Sequence, residues 1–327
     1  TAEPSPAEPT PSEPDNEEPA TATVPECPAS LADYASTLPT LLKAVQGEIT
    51  GVQEWLIECR AITDSRGALA KGDLNGDGQS DFLILPVIVS DLGFGPNGTQ
   101  GAVLLYNGNG DNEWQLAASP EIYGQSNLLA VQDLNEDGAI DAAWTVVGCS
   151  TFCVTEVQVV TWDTESEEYL SLIQPGATLA EGTAEFVDPP ADAPGLGKQL
   201  KLVGGVSNTP EGGLSVPHTE LWQSVDGGPF QRISWLYDRS VEGNDCLGLR
   251  LIEADVALHA SSVLGYDDAI AAYEAAFAPE LKACSIFGVD GTEELVGLQG
   301  LASFRLVQAQ VLEQRMDDAR ASLESLT

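Results

Sequence analysis

The first hydrophobic pattern along the chain has the period of a helix. Between residues 30 and 60, apolar side chains recur at steps of three and four, as they do on one face of an α-helix. They are Leu31, Tyr34, Leu38, Leu41, Leu42 and Val45. Ser30 is suited to cap this helix, and Pro39 is suited to kink or split it. Residues 51–59 fit either a second helix or a first strand.

From residue 61 to about residue 240 the pattern changes to short β-strands. Apolar runs rich in β-branched and aromatic residues alternate with turns rich in Gly, Asn and Asp. The runs are 82–89, 102–106, 114–116, 142–147, 154–162, 169–173, 199–203, 219–222 and 230–236. They fall into three units, and repeated units of several short strands predict propeller blades or a related array. The expected fold class is a mainly β repeat array, a partial or irregular β-propeller, with flanking α-helices.

Three units are too few to close a typical propeller. The open edges of such an array need a cover, because unpaired strands are prone to pair with other chains. The sequence leaves three covers open: strands from residues 50–60, the flanking helices, or another copy of the protein.

Beyond residue 241 the period is helical again. Residues 264–277 lead to Pro279, and residues 301–324 repeat the same spacing of small and large side chains. Both stretches contain Asp-Asp-Ala, at 267–269 and 317–319, and the pattern resembles one half of a tetratricopeptide repeat, seen twice. An ordinary helical bundle with Ala-rich contacts is the alternative. Either predicts a helical unit over 241–327 with a groove for protein partners.

The first 26 residues differ from the rest of the chain. They consist mainly of Pro, Glu, Ala, Thr and Ser, with too little apolar surface to favour a packed fold. The predicted organisation is therefore a disordered stalk over 1–26, a helical segment over 27–60, the β-repeats over 61–240 and the C-terminal helical unit.

One nine-residue pattern occurs twice in the β region. Residues 73–81 read DLNGDGQSD and residues 133–141 read DLNEDGAID, so both follow D-L-N-x-D-G-x-x-D. Side-chain oxygens at positions 1, 3, 5 and 9, a backbone carbonyl at position 7 and a Gly at position 6 for the sharp turn suit a hard cation. Each copy is predicted to be a calcium loop, which gives two Ca²⁺ sites.

The residues that follow each loop separate it from an EF-hand. An EF-hand loop begins in the same way but ends with a bidentate Glu at position 12, between two helices. Position 12 is Ile84 in the first copy and Trp144 in the second, and both loops lead into strand-like runs. Dockerin modules also carry duplicated loops, but theirs lie closer together and lead into helices. The pattern favours a structural calcium loop that opens a strand.

The charge of the chain limits its partners. It has 51 acidic and 13 basic residues, a formal net charge of −38. Such an excess repels nucleic-acid phosphates and anionic lipid headgroups, so no nucleic acid is expected as a partner, whereas divalent cations are favoured. No apolar run is long enough to cross a bilayer, which predicts no membrane insertion and leaves open a lipid anchor upstream of Thr1.

The cysteines indicate an oxidising compartment. There are six, with no C-x-x-C motif, and this even number favours disulfides over a zinc site. By proximity the predicted pairs are Cys27–Cys59, Cys149–Cys153 and Cys246–Cys284. Free buried thiols in a cytosolic protein are the alternative. Together with a start at Thr1, the cysteines predict a mature secreted or cell-surface protein whose signal sequence has been removed.

The order of loop, strand, turn and Leu105-Tyr106-Asn107-Gly108-Asn109-Gly110-Asp111 resembles the FG-GAP, or VCBS, repeat of integrin-like β-propellers. The resemblance covers roughly residues 61–240 and is sharpest at the two loops and at 102–111. It implies that calcium binds at the edge of a blade. The implied ligands are Asp73, Asn75, Asp77, the carbonyl of Gln79, and Asp81, with Asp133, Asn135, Asp137, the carbonyl of Ala139, and Asp141 as their counterparts. The third unit reads DPPADAPG at 188–195, so no third site is expected.

The sequence shows no recognisable catalytic constellation. It has no G-x-S-x-G elbow, and neither His218 nor His259 has a nucleophile near it in sequence. The expected function is therefore non-enzymatic: a calcium-stabilised extracellular protein for adhesion, scaffolding or self-assembly into a polymer. Its partners would be proteins, including copies of itself. The alternative is a carbohydrate-binding or carbohydrate-active protein that holds glycans on the propeller face.

Overall fold

The computed structural model describes residues 23–63, 66–88, 100–122, 124–149, 153–190, 197–205, 218–237, 246–260, 266–283 and 291–325. Predictions for residues 1–22, for the third-unit segment 191–196 and for Cys284 lie outside these ranges.

Fifteen strands form the β region within the described residues. They are β1 (Ala68–Gly72), β2 (Asp81–Leu85), β3 (Val87–Ile88), β4 (Gln100–Gly101), β5 (Leu104–Gly108), β6 (Trp114–Ala118), β7 (Gln125–Gln132), β8 (Asp141–Cys149), β9 (Cys153–Asp163), β10 (Glu168–Ser171), β11 (Thr178–Ala180), β12 (Thr183–Val187), β13 (Gln199–Gly204), β14 (His218–Ser224) and β15 (Phe230–Tyr237).

The strands form three main antiparallel sheets in chain order. The first has the order β1-β2-β5-β6, the second β7-β8-β9-β10 with β11 beside β9, and the third β12-β13-β14-β15, while β3 and β4 make a separate pair. The expectation of a mainly β fold is thereby confirmed, while the repeat array stays a prediction. Within the described ranges no sheet closes on itself, and the propeller stays a prediction.

The sheets stack face to face because their strands are apolar on both sides. In β2, Phe82 and Ile84 face a core shared with the N-terminal helices. The alternate residues Leu83 and Leu85 share a core with Trp144 of the second sheet. The second and third sheets share a further core, made by Val157, Val159, Leu200, Leu202 and Trp222 among others.

Two N-terminal helices cover the outer face of the first sheet. They are α1 (Leu31–Ala44) and α2 (Ile49–Glu58), so the ambiguous residues 51–59 are mainly helical and supply no strand. Pro39 lies inside α1 and does not split it. Ser30 occupies the N-cap position, but the prediction that its side chain caps the helix is wrong. Its hydroxyl donates to Asp33 Oδ2 at 2.7 Å instead of accepting a backbone N–H.

Helices also follow the β region, which confirms the flanking helices of the expected fold class. They are α3 (Leu247–Ala260), α4 (Asp267–Ala275), α5 (Gly291–Leu312) and α6 (Met316–Glu324). One core joins α3, α4 and α5 through residues such as Leu251, Tyr273 and Ala302. Helix packs on helix, as both alternatives required, and the tetratricopeptide-like assignment stays a prediction.

Two of the predicted disulfides are present, Cys27–Cys59 and Cys149–Cys153. The third prediction includes Cys284 and lies outside the described residues. The two bonds are compatible with a secreted or extracellular protein. None of the described helices is both long and apolar enough to span a membrane.

Candidate metal centres

Each candidate loop joins the first two strands of its sheet. Gly72 at the end of β1 pairs with Asp81 at the start of β2, and Gln132 pairs with Asp141 in the same way between β7 and β8. Position 9 of the pattern is therefore the first residue of the second strand. The two loops occupy equivalent places in consecutive sheets.

Both loops are held by the same hydrogen bonds between backbone N–H groups and side-chain oxygens. The N–H at position 2 donates to the Asp at position 9, position 5 to the Asn at position 3, position 6 to the Asp at position 1, and position 7 to the Asp at position 5. In the first loop these bonds are Leu74–Asp81 at 2.7 Å, Asp77–Asn75 at 3.0 Å, Gly78–Asp73 at 3.0 Å and Gln79–Asp77 at 2.7 Å. In the second they are Leu134–Asp141 at 2.9 Å, Asp137–Asn135 at 3.2 Å, Gly138–Asp133 at 2.9 Å and Ala139–Asp137 at 2.8 Å. In each loop the predicted side-chain ligands thus all take part in one turn. Their role as ligands, like that of the position-7 carbonyls, stays a prediction.

The backbone explains the Gly at position 6 of the pattern. Gly78 has φ +82° and Gly138 has φ +90°, in the left-handed region that favours glycine. Position 4 is left-handed too, with Gly76 at +76° and Glu136 at +61°. The sequence pattern leaves position 4 unspecified, so this second constraint was not predicted.

The Leu at position 2 anchors each loop to the sheets. Leu74 is 2% exposed and lies in the core between the first and second sheets, whereas Leu134 is fully buried in the core between the second and third. Each loop therefore sits where two sheets meet. An ion held in the loop would act on the contact between sheets as well as on the turn.

Polar groups join the sheets beside the first loop and at the second loop. Next to the first loop, the Tyr169 hydroxyl of β10 donates to Asn107 Oδ1 at 2.9 Å, and burial followed by the carboxylates of the first loop raises the pKa of Tyr169. In the second loop, Asn135 Nδ2 donates to the Gly227 carbonyl of the third sheet at 3.1 Å.

One buried carboxylate oxygen at position 1 of each loop has no hydrogen-bond donor. These atoms are Asp73 Oδ1 and Asp133 Oδ1. In the second loop, Asp141 Oδ1 is also buried without a hydrogen-bond donor. A buried carboxylate oxygen without a partner is costly, and a cation is one partner that removes the cost. No three His, Cys, Asp or Glu side chains are grouped to hold a metal within the described residues. The candidate donor set is a mixed one, because it also uses Asn side chains and backbone carbonyls, which Ca²⁺ accepts.

The two position-9 residues differ in their hydrogen bonds. Asp81 Oδ2 accepts from the N–H groups of Leu74 and Asn75, and Asp81 Oδ1 accepts from Gly108 N–H at 2.9 Å. Burial raises the pKa of Asp81, and these three donors oppose the rise. For Asp141, burial raises the pKa to about 6, with the Leu134 N–H and the Thr161 hydroxyl opposing the rise. Fewer hydrogen bonds therefore oppose the rise in the pKa of Asp141 than oppose that of Asp81.

Gly108, in the stretch that carries the FG-GAP resemblance, is required by close packing. Its N–H binds Asp81, and a Cβ atom at this position would lie 2.6 Å from the Ser80 carbonyl oxygen. Trp114 Nε1 donates to the same carbonyl at 2.9 Å. The turn after β5 thus closes over the first loop.

In the third sheet, a lysine ammonium group of the chain itself lies at the place that corresponds to the two candidate loops. Asp188 directly follows β12, as Asp73 directly follows β1. Gln199 is the first residue of β13 and pairs with Val187, so it corresponds to the Asp at position 9 of the loops. The Lys198 ammonium forms an ion pair with Asp188 Oδ1. Gln199 is buried and donates through Nε2 to Gln223 at 3.0 Å. Lys198 was not singled out from the sequence, although its position directly before the strand was the available signal.

Comparisons with known proteins add little to this geometry. No family model matches the chain, and no curated protein matches it. The chain is similar to a solved structure described as a BT0996 RGII complex, with 14% identity and a TM-score of 0.26, over 53% of this protein and 58% of the matched one. The match spans less than two thirds of that protein. A similarity this weak supports no statement about fold family or function.

Proposed function

We propose that this is a secreted or cell-surface structural protein whose stacked sheets are stabilised by two Ca²⁺ ions. The observation that carries the proposal is the unpaired, buried Oδ1 atom of Asp73 and of Asp133, each at the first position of a hydrogen-bonded loop. The ligands would be those implied by the FG-GAP resemblance. A bound ion would supply positive charge to carboxylates that otherwise repel one another.

The position of the loops makes this a stabilising role. Leu74 and Leu134 connect the loops to the two cores between sheets, so the free energy of ion binding adds to the free energy of stacking. Calcium sites of extracellular modules bind at about 10⁻⁴ to 10⁻³ M, which suffices outside the cell. The two disulfides are consistent with that location.

The role in adhesion, scaffolding or self-assembly is proposed on the architecture of the whole chain. The stacked sheets are followed by C-terminal helices that carry exposed apolar side chains, such as Phe304 and Val311. Exposed apolar side chains offer surfaces for proteins and for other copies of the same chain.

The calcium proposal is tested by thermal unfolding in calcium and in chelator. At a free calcium concentration ten times the Kd, each site contributes about 1.4 kcal/mol, and two sites should raise Tm by roughly 5–10 °C. The double variant Asp77→Ala, Asp137→Ala should melt at the same temperature in both buffers. A matched control, Glu121→Ala with Glu165→Ala, removes two exposed carboxylates outside the loops and should keep the calcium response.

The proposal is wrong if chelator leaves Tm unchanged and no metal copurifies with the protein. It is also wrong if the control variant loses the calcium response to the same extent as the loop variant, because the effect would then come from general surface charge.

A further inference from the structure

Helix α5 is apolar on more than its buried side. Its inner face packs into the helical core through Leu298, Ala302, Leu306 and Ala309. From residue 295 to residue 312 the only charged residue is Arg305. A helix that is apolar beyond its buried face exposes side chains that a further partner can cover.

A second stripe of α5 is exposed and follows the spacing of a coiled-coil seam. Residues 297, 300, 304, 307 and 311 recur at alternate steps of three and four, the spacing by which one helix meets another. They are Gly297, Gly300, Phe304, Val307 and Val311, and we name them the α5 seam. Phe304 is 63% exposed and Val311 is 44% exposed.

The side chains of the α5 seam are small at its N-terminal end and large at its C-terminal end. Its N-terminal half is a shallow groove, since a Cβ atom added at Gly297 or Gly300 would meet nothing within 4 Å. Its C-terminal half carries the large side chains of Phe304, Val307 and Val311. A helix with this profile matches another copy of itself in the antiparallel direction, because the large side chain of Phe304 then faces the small residues of the other copy's N-terminal half.

We propose that the α5 seam binds the α5 seam of a second copy, antiparallel and related by a two-fold axis close to Gly300. Phe304 of each copy then fills the groove at Gly297 and Gly300 of the other, and the contact is made twice, as in any isologous dimer. In a parallel pair the phenylalanines would meet each other, and the glycines would leave a gap.

Charge favours the same arrangement. Copies of a protein with net charge −38 repel each other over most of their surface, and the α5 seam is free of acidic residues. In the antiparallel direction the exposed Glu293 at the start of α5 lies at the partner's half that carries Arg305, which is 31% exposed and also lies 3.8 Å from the buried Asp255 of its own chain. The opposed helix dipoles are favourable as well. A parallel pair would bring the two Glu293 carboxylates together.

The inference deepens the proposed self-assembly by naming its partner, and it is tested separately from calcium binding. The mass of the full chain in 1 mM calcium is measured by sedimentation equilibrium over a range of concentrations. The expected mass rises from 34.4 kDa towards twice that value. Phe304→Glu should remain monomeric, whereas the matched change Leu323→Glu, at an equally exposed apolar residue of α6, should dimerise like the wild type.

A second variant keeps the test valid if Phe304→Glu folds poorly. Gly300→Leu adds its side chain to open space and replaces a helical glycine, so the monomer should be at least as stable as the wild type. It fills the groove that Phe304 of the other copy would enter, and it should abolish the dimer. A wild-type chain that stays monomeric at every concentration, or a Gly300→Leu variant that still dimerises, overturns the proposal.

Single cysteines test the direction of the pair. Under mild oxidation Gly300→Cys should crosslink two copies, because it lies next to the two-fold axis. Val311→Cys should not, since two such residues would be about 30 Å apart in an antiparallel pair at about 1.5 Å rise per residue. Crosslinking through Val311→Cys would indicate a parallel pair and overturn the proposed geometry.

The outcomes separate this proposal from the calcium proposal. Suppose that the protein dimerises through the α5 seam and that chelator leaves its Tm unchanged. The inference about the seam would then stand, and the calcium proposal would be refuted. A calcium-stabilised protein that is monomeric at all concentrations would do the reverse.

Discussion

Asp81 and Asp141 hold the same place in the two loops, yet their surroundings set them apart. Both are fully buried at the start of a strand. Asp81 receives three backbone N–H donors, while Asp141 Oδ1 has none. The same sequence pattern therefore yields one carboxylate that the fold itself satisfies and one that needs another partner.

The raised pKa of Asp141 predicts how the metal-free protein depends on pH. Its folded-state pKa of about 6 lies above the unfolded value of about 3.9, so its stabilising contribution is present below pH 4 and is lost as the pH rises through 6. Between pH 4 and pH 7, the unfolding free energy of wild type minus that of Asp141→Asn should fall by on the order of 2–3 kcal/mol. Urea unfolding in buffers stripped of divalent cations measures this difference.

Asp81→Asn is the matched control for that experiment, and its difference should change less with pH because three N–H donors oppose the shift. Added calcium should remove the dependence at Asp141, since a bound cation takes up the carboxylate charge. Parallel pH curves for wild type and Asp141→Asn would contradict the assignment.

At the scale of elements, α1 is joined to the first sheet by a hydrogen bond that a proline makes available. Pro39 has no N–H, so the Ala35 carbonyl one turn earlier lacks its usual helical donor. The hydroxyl of Tyr106, a buried residue of β5, donates to that carbonyl at 2.9 Å. The proline therefore does not split α1, because the first sheet supplies the missing donor.

A double-mutant cycle tests this exchange of donors. Tyr106→Phe leaves the Ala35 carbonyl unpaired and should lower the unfolding free energy by about 1–3 kcal/mol. In a Pro39→Ala background the new N–H can serve that carbonyl, so the same change should cost less than about 1 kcal/mol. The unfolding free energies of the four proteins in urea give the coupling. An equal cost in both backgrounds would show that the hydroxyl acts only through packing.

The strands most visible in the sequence were those buried on both faces. The apolar run after each loop predicted β2 and β8 to within a few residues. β1 and β12 were missed, because both are only five residues long and half-buried, and ALAKG has no β-branched or aromatic residue. Pairing with β2 and with β13 decides that these two segments are strands, and that pairing exists only in the folded sheet.

At the scale of the whole molecule, electrostatic repulsion opposes a compact stack of sheets. The net charge is −38, and ion pairs such as Lys43–Glu113 and Lys201–Glu185 are exposed. Exposed pairs contribute about 0–1 kcal/mol each, so their loss in salt is a small effect. Repulsion summed over the surface should therefore decide the response to ionic strength.

We accordingly predict that Tm rises with NaCl in the absence of divalent cations. The screening length falls from about 30 Å at 0.01 M salt to about 8 Å at 0.15 M, which weakens repulsion between distant carboxylates. Differential scanning calorimetry at several NaCl concentrations measures the trend, and sucrose at matched osmolality controls for general solvent effects. A Tm that falls as NaCl is added would mean that the ion pairs outweigh the repulsion.

The sequence by itself determined the features that depend on neighbouring residues. The continuous apolar runs of the buried strands, the period of helices at both ends, the glycine in each nine-residue loop and two of the disulfide pairs could all be predicted from it, because local backbone preferences and short separations govern them.

The tertiary structure alone decided the features that depend on what lies beside each residue in space. It placed residues 51–59 mainly in a helix, set Lys198 against Asp188, left the position-1 oxygens of Asp73 and Asp133 unpaired, and exposed the α5 seam. Whether a carboxylate is satisfied or an apolar face is covered depends on groups that folding brings from elsewhere in the chain. The order of neighbouring residues in the sequence does not contain that information.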